Sequence, residues 1–251
     1  MQVAVVTGAS SGIGSAVARE LAASGRLCVL LARREDRLRA LADELGGEYE
    51  VCDISDRASV EAVASRMLER HPRVSLLVNN AGIPARADFV EGDPERIEQV
   101  VRTNYLGSVW CLRAFLPGLE AARPSDVVNV VSVAGTVAFP PSGPYSASKH
   151  AQLAFSRAMS ASLRNRGISV HTVNPGFVET EGFPQRAVLR SAVFRRGILE
   201  PEDIAGHIVA LVGKGPSETT IPRLYRVPGI LQALAPNLVA RLVARRTGMY
   251  R

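Results

Sequence analysis

The chain has 251 residues, 47% of them hydrophobic and 22% charged, enough for one large α/β domain with a sizeable core, and its composition excludes a disordered chain, a collagen-like repeat or a disulfide scaffold. A net charge of +6 invites a nucleic-acid partner, but the basic residues, all arginine except Lys149 and Lys214, are spread singly along helical patterns, so no nucleic acid is expected. Cys28, Cys52 and Cys111 lack metal-binding spacing, the four histidines are scattered, and no leader or long apolar stretch stands out; the expectation is a reduced, cytoplasmic protein without a metal.

Strand-like and helix-like segments alternate along the chain. Val3–Thr7 is an apolar run ending at a glycine loop, after which Ile13, Val17 and Leu21 recur at helical spacing as far as Gly25. Leu27–Ala32 is a second strand, and Leu38, Leu41 and Leu45 mark a helix stopped by Gly46 and Gly47. A third strand ends at Cys52–Asp53, and Val60, Val63 and Met67 lie on the helix after it. Val74–Asn79 is a fourth strand. Asp93 and Pro94 supply an N-cap and a first-turn proline for a long helix toward Leu119. Asp126–Ser132 is a fifth strand, a Pro/Gly-rich loop over 134–144 leads into a helix reaching about Arg166, and Ile168–Asn174 is a sixth strand.

Continuous apolar strands alternating with helices predict a single doubly wound Rossmann-type domain, a parallel sheet of six to seven strands with helices on both faces. The expected division is 1–212 for a dinucleotide-binding and catalytic domain. Residues 213–251 would be a basic amphipathic extension packed on it.

The loop Thr7-Gly8-Ala9-Ser10-Ser11-Gly12-Ile13-Gly14 joins the first strand to the first helix. Gly8 permits the turn, Gly12 lets the backbone approach a phosphate, and Gly14 lets helix pack on strand; the helix N-terminus faces the anion. The spacing is G-x-x-x-G-x-G. At the end of the second strand an acid would favour NAD and an arginine NADP. Here Ala32 is followed by Arg33 and Arg34, whose guanidinium groups suit a 2′-phosphate, so NADP(H) is preferred, with NAD(H) as the second candidate.

These motifs, taken with those farther along, resemble the short-chain dehydrogenase/reductase family over residues 3–212. The carriers are the glycine loop, Asp53 after the third strand, Asn79-Asn80-Ala81-Gly82 after the fourth, and Asn104. Ser132, Tyr145-x-x-x-Lys149 and Asn174-Pro175-Gly176 complete the series. The resemblance implies an oxidoreductase that moves a hydride between a nicotinamide cofactor and a carbonyl or secondary alcohol, with Asn104, Ser132, Tyr145 and Lys149 as its catalytic set. Tyr145 and Lys149, four apart, share one helical face. A neighbouring ammonium would favour the phenolate of a side chain that ordinarily titrates near pH 10. The resemblance assigns cofactor contacts to Gly8, Ser10, Ser11, Gly12, Ile13 and Gly14, to Asp53 and Ile54, and to Asn80, Ala81 and Gly82. It adds Tyr145 and Lys149 themselves, with Pro175, Gly176, Val178 and Thr180 at the nicotinamide end. Asn104 would help hold a water linking Lys149 to solvent, and Asn79 would be structural. A homodimer or homotetramer would pair through the helix starting at Pro94 and the one carrying Tyr145. The rival is a cofactor-binding regulator or scaffold without chemistry, acting through the basic tail.

Two regions depart from the family pattern. Ser11 stands where many NADP-using members carry a basic residue. The tail lacks the usual Asp-Gly-Gly ending; after a strand-like Thr219–Pro222 it offers Leu231, Leu234, Leu238, Leu242 and Val243 on one face, with Arg241, Arg245 and Arg246 elsewhere. Prolines 222, 228 and 236 predict two short helices bending near Pro236. The leucine stripe is expected to be covered by the subunit or its partner, with peripheral membrane contact as the second reading. Phe177, Phe183, Val188, Leu189 and Phe194 after Gly176 predict an apolar, lipid-like substrate.

Overall fold

The computed structural model describes residues 1–85, 89–138, 142–188 and 197–245, with the side chains of 187, 188 and 243–245 outside the description. Of the residues singled out above, Leu189, Phe194 and Arg246 lie outside the described residues, as do the side chains of Val188, Val243 and Arg245. Seven strands form one parallel sheet: β1 (Val3–Thr7), β2 (Leu27–Ala32), β3 (Glu48–Val51), β4 (Leu76–Asn79), β5 (Ser125–Val130), β6 (Ile168–Pro175) and β7 (Glu218–Ile221). Their order is β3-β2-β1-β4-β5-β6-β7. The order reverses between β1 and β4, so the loops leaving these two strands diverge and open a crevice.

The apolar runs are explained by burial on both sides. Every residue of β1 is buried, Ala4 and Val6 in one core, Val3 and Val5 in the other. The first core is closed by α1 (Gly12–Ala23), α2 (Glu35–Leu45) and α8 (Pro201–Leu211) through Val17, Leu21, Leu38, Ile204 and Ile208. The second is closed by α3 (Arg57–Arg70), α5 (Gly107–Ala121) and α6 (Gly143–Arg164) through Val60, Met67, Phe115, Leu119 and Leu163. Each fully buried Leu, Val or Phe side chain contributes about 1.5–3 kcal/mol.

The helix predicted from Pro94 is interrupted. α4 (Pro94–Val101) begins as expected, with Asp93 accepting from the Glu95 amide, but Arg102–Leu106 is a π-helical turn before α5. Strand β5 ends at Val130, so Ser132 is not the end of the strand but the cap of a 3₁₀ turn, Val133–Gly135. Helix α8 was not anticipated, although Glu200 and Asp203 form a reciprocal capping box around Pro201. β7 pairs in parallel with β6, Val173 opposite Thr219, so the sheet runs on through residue 221.

The outer strand β3 is lined with charge. Arg66 and Arg70 of α3 each reach Glu50 at 2.8 Å, and His71 reaches Glu48 at 2.8 Å. Beyond a short α7 (Gln185–Val188) and α8, the chain finishes in α9 (Arg226–Leu234) and α10 (Pro236–Arg245), bent at Ala235. Among the described residues the leucine stripe is not covered: Leu231, Leu234, Leu238 and Leu242 are exposed, while Val239 is buried. The two short helices turn small side chains inward, Gly229 lying against Thr136, and leave the leucines on the outer face.

Candidate active site

The crevice at the switch point is one groove of about 870 Å³. The glycine loop forms its floor. Gly8 and Gly12 have φ of +67° and +57°, and a Cβ on Gly8 would lie 2.7 Å from the Ala81 Cα. A Cβ on Gly14 would lie 2.3 Å from the Gly8 carbonyl oxygen, so Gly14 serves packing and does not line the groove. Thr7, which the sequence reading passed over as a mere strand end, ties the two loops together. Its hydroxyl donates to the Val78 carbonyl at 3.2 Å and accepts from the Asn80 and Ala81 amides at 3.0 and 3.1 Å. Asn80 returns a bond to the Thr7 carbonyl at 3.0 Å.

The N-terminus of α1 opens on this groove without a side-chain cap. The Ser11 hydroxyl that would cap it instead accepts from Arg34 at 2.6 Å, and Arg34 also donates to Ser10 at 3.0 Å. Uncapped helix donors, a glycine cradle and a guanidinium beside two hydroxyls are chemistry that holds phosphate. Arg33 also lines the groove, its guanidinium 3.9 Å from Asp53, whose carboxylate is bonded by Ser55. Glu181, from the loop after β6, pairs with Arg37 and sits 3.5 Å from Arg34.

At the far end of the groove stand Ser132, Tyr145 and Lys149. Ser132 accepts from the Ala134 amide at 3.1 Å and hydrogen-bonds the Tyr145 phenol. Tyr145 is half-buried, its ring 5.6 Å from that of Phe183. Lys149 is 3% exposed; its ammonium lies 5.9 Å from the Tyr145 ring centroid and donates to the Val130 carbonyl at 3.1 Å and to Gln152 at 2.8 Å. Gln152, wholly buried and absent from the sequence-predicted set, donates in turn to Ser108 at 2.8 Å. Its position three after Lys149, on the same helix face, was the available signal.

The depressed Tyr145 expected from sequence is not found. Burial pushes the phenol up to about 12 despite the Ser132 bond, and burial brings Lys149 down to about 7. The lysine directs its donors at Val130 and Gln152 and is only partly charged near neutrality, which weakens its support of the phenolate.

Asn104 sits in the π turn, fully buried and behind the groove wall. Its amide oxygen accepts from the Ile83 amide at 2.8 Å, while its nitrogen donates to the Ile83 carbonyl at 3.0 Å and to Ser148 at 3.1 Å. A π turn inside a helix is a common mark of a functional position. Asn79 donates to Asn129 at 2.9 Å, away from the groove. The remaining sequence-predicted residues, Ile13, Ile54, Gly82, Pro175, Gly176, Val178 and Thr180, all line the groove.

A parallel sheet with a phosphate-type cradle at its switch point, and a Ser, Tyr and Lys beside it, defines a dinucleotide-dependent oxidoreductase architecture. The chain belongs to the short chain dehydrogenase family, whose profile matches residues 2–187. It is 31% identical over 264 residues to dehydrogenase/reductase SDR family member 7B of Bos taurus, covering 97% of this chain and 81% of that protein. With farnesol dehydrogenase of Aedes aegypti it shares 35% identity over 227 residues, 86% and 91% of the two chains. Among solved structures, an alcohol dehydrogenase from Thermococcus sibiricus complexed with 5-hydroxy-NADP superposes with a TM-score of 0.79 at 31% identity, covering 90% of this chain and 97% of that one.

Proposed function

We propose that this protein is an NADP(H)-dependent oxidoreductase interconverting an apolar or lipid-like carbonyl compound and its secondary alcohol, with Tyr145 as general acid/base. The observation that carries the reading is the convergence of Ser132, Tyr145 and Lys149 on one groove with the glycine cradle. Gly8, Gly12, the α1 N-terminus, Ser10, Ser11 and Arg34 hold the cofactor's phosphates, and the similarity to an NADP-complexed alcohol dehydrogenase supports the 2′-phosphate. The bonds of Arg34 to both serines support it as the group that meets that phosphate. When bound, the cofactor supplies or accepts the hydride.

The chain's own residues handle the proton. Tyr145 is a phenol at neutral pH, so in the reducing direction it is the group that donates a proton to the carbonyl oxygen. Ser132 shares that oxygen and steadies developing charge. Lys149, held by Gln152 and Val130, takes up and releases a proton near neutrality. Asn104 fixes the Ile83 segment of the wall. Ile83, Phe177 and Phe183 line the substrate end, and the similarity to a farnesol dehydrogenase supports an apolar substrate. Self-association through α5 and α6, where Trp110 and Phe155 are only partly buried, is part of the same proposal.

The test is NADPH oxidation across a panel of ketones and aldehydes. Tyr145→Phe should lower kcat by about 10²–10⁴-fold while NADPH binding, followed by fluorescence, changes little. A variant that keeps most of its turnover overturns the assignment.

A further inference from the structure

We propose that the outer face of α9 and α10 docks on a bilayer surface rich in anionic lipid. The inner face of this segment is already engaged. A Cβ on Gly176 would lie 2.0 Å from the Tyr225 ring, Phe177 meets that ring edge-on at 5.9 Å, and Gly229 abuts Thr136. The outer face carries Val227, Ile230, Leu231, Leu234, Leu238 and Leu242, with exposures from 44% to 78%. Within α9 the spacings of Val227, Ile230, Leu231 and Leu234 put them on one side, and the four-residue spacing of Leu238 and Leu242 does the same within α10.

Charge identifies the occupant. No Asp or Glu follows Glu218, while arginines stand at 223, 226, 241, 245, 246 and 251. Glu218 is itself held by Arg157 at 2.7 and 2.9 Å. A run of arginines in a segment without acids, beside an apolar face, complements anionic headgroups over acyl chains. A second copy fits worse, because an isologous tail-to-tail contact sets these arginines against themselves. Helices of 9 and 10 residues are each about 15 Å long, half the hydrocarbon core, so they lie in the surface. Because the inner face rests on Gly176 and Phe177 of the groove wall, docking would bring the groove beside the lipid.

The experiment is co-sedimentation of the full chain with phosphatidylcholine vesicles, with and without phosphatidylglycerol. Binding is expected with the anionic vesicles and at least tenfold less with neutral ones. It should weaken about fivefold for each of Arg223, Arg226 and Arg241 changed to Gln, and fall when sodium chloride rises from about 0.1 M to about 1 M. Leu234→Gln with Leu238→Gln, at exposed positions, should abolish it while the melting curve stays that of the parent. No binding to anionic vesicles overturns the proposal, as does equal binding to neutral ones. So does a dimer in sedimentation velocity that the two leucine changes dissociate while vesicle binding is absent, which would assign the face to a second copy.

Discussion

Replacing Asn104 by Ala separates a wall-holding role from a purely catalytic one. The side chain makes three hydrogen bonds, two of them to the amide and carbonyl of Ile83. Truncation strands both Ile83 groups, at about 1–3 kcal/mol for each buried polar group left without a partner. Ile83 is half-buried, so water rescues part of this, and a loss of about 3 kcal/mol is expected. The Ser148 hydroxyl keeps its bond to the Tyr145 carbonyl at 2.7 Å, so losing the Asn104 amide costs it little. For a chain of this length each kcal/mol moves the melting temperature by about 2–4 °C, giving a drop of about 6–12 °C by calorimetry. Asn104→Asp should fare worse, since it keeps one acceptor, loses both donations and buries a charge. If Asn104→Ala melts within about 2 °C of the parent, the amide does not hold the wall.

Arg34→Ala should weaken NADPH far more than NADH in binding titrations, whereas Arg33→Ala, lying toward Asp53, should affect them more evenly; the reverse ranking would move the phosphate to Arg33. His171 is 3% exposed between Asp126 at 2.8 Å and the Pro216 carbonyl at 3.0 Å. Desolvation is the largest influence and pulls its pKa down, but these two bonds together leave it raised. A raised value means stability fully present below the unfolded value of about 6.5 and lost as pH climbs through the folded one. The melting-temperature difference between parent and His171→Gln should therefore be larger at acidic than at alkaline pH, and a flat difference would show that the pair is not charged.

Much of this was readable from sequence because burial on both faces leaves a plain trace. The apolar runs of β1, β2 and β6 start where expected, and the glycine loop sits where strand gives way to helix. The bend before Pro236 follows from proline sterics. The π turn left no trace, because one extra residue in a helix shifts the apolar stripe no more than its ordinary irregularity. Lys149's partner was missed for a related reason: Gln152 looks like a surface amide until α6 packs against β6 and the π turn and Ser108 of α5 takes its amide. The upward shift of Tyr145 left no trace in the sequence, because spacing reports proximity to an ammonium and says nothing of desolvation. The tail leucines were expected under cover because a stripe reads as a buried face, and the described residues of one chain do not supply the cover.

The charged margin of β3 bears on how the protein behaves when crowded. An outer strand offers unpaired amides and carbonyls to any neighbouring sheet. Here Arg66 and Arg70 lie across it through Glu50, so a second sheet approaching that rim must first strip two guanidinium groups from a carboxylate. Desolvation alone would lift the Glu50 pKa, but the two arginines outweigh it and hold the group ionised. The guard therefore survives mild acid, and it gives way when strong acid discharges Glu50 or concentrated salt screens the pairs. Under those conditions colloidal association should begin at this rim while the interior is still folded.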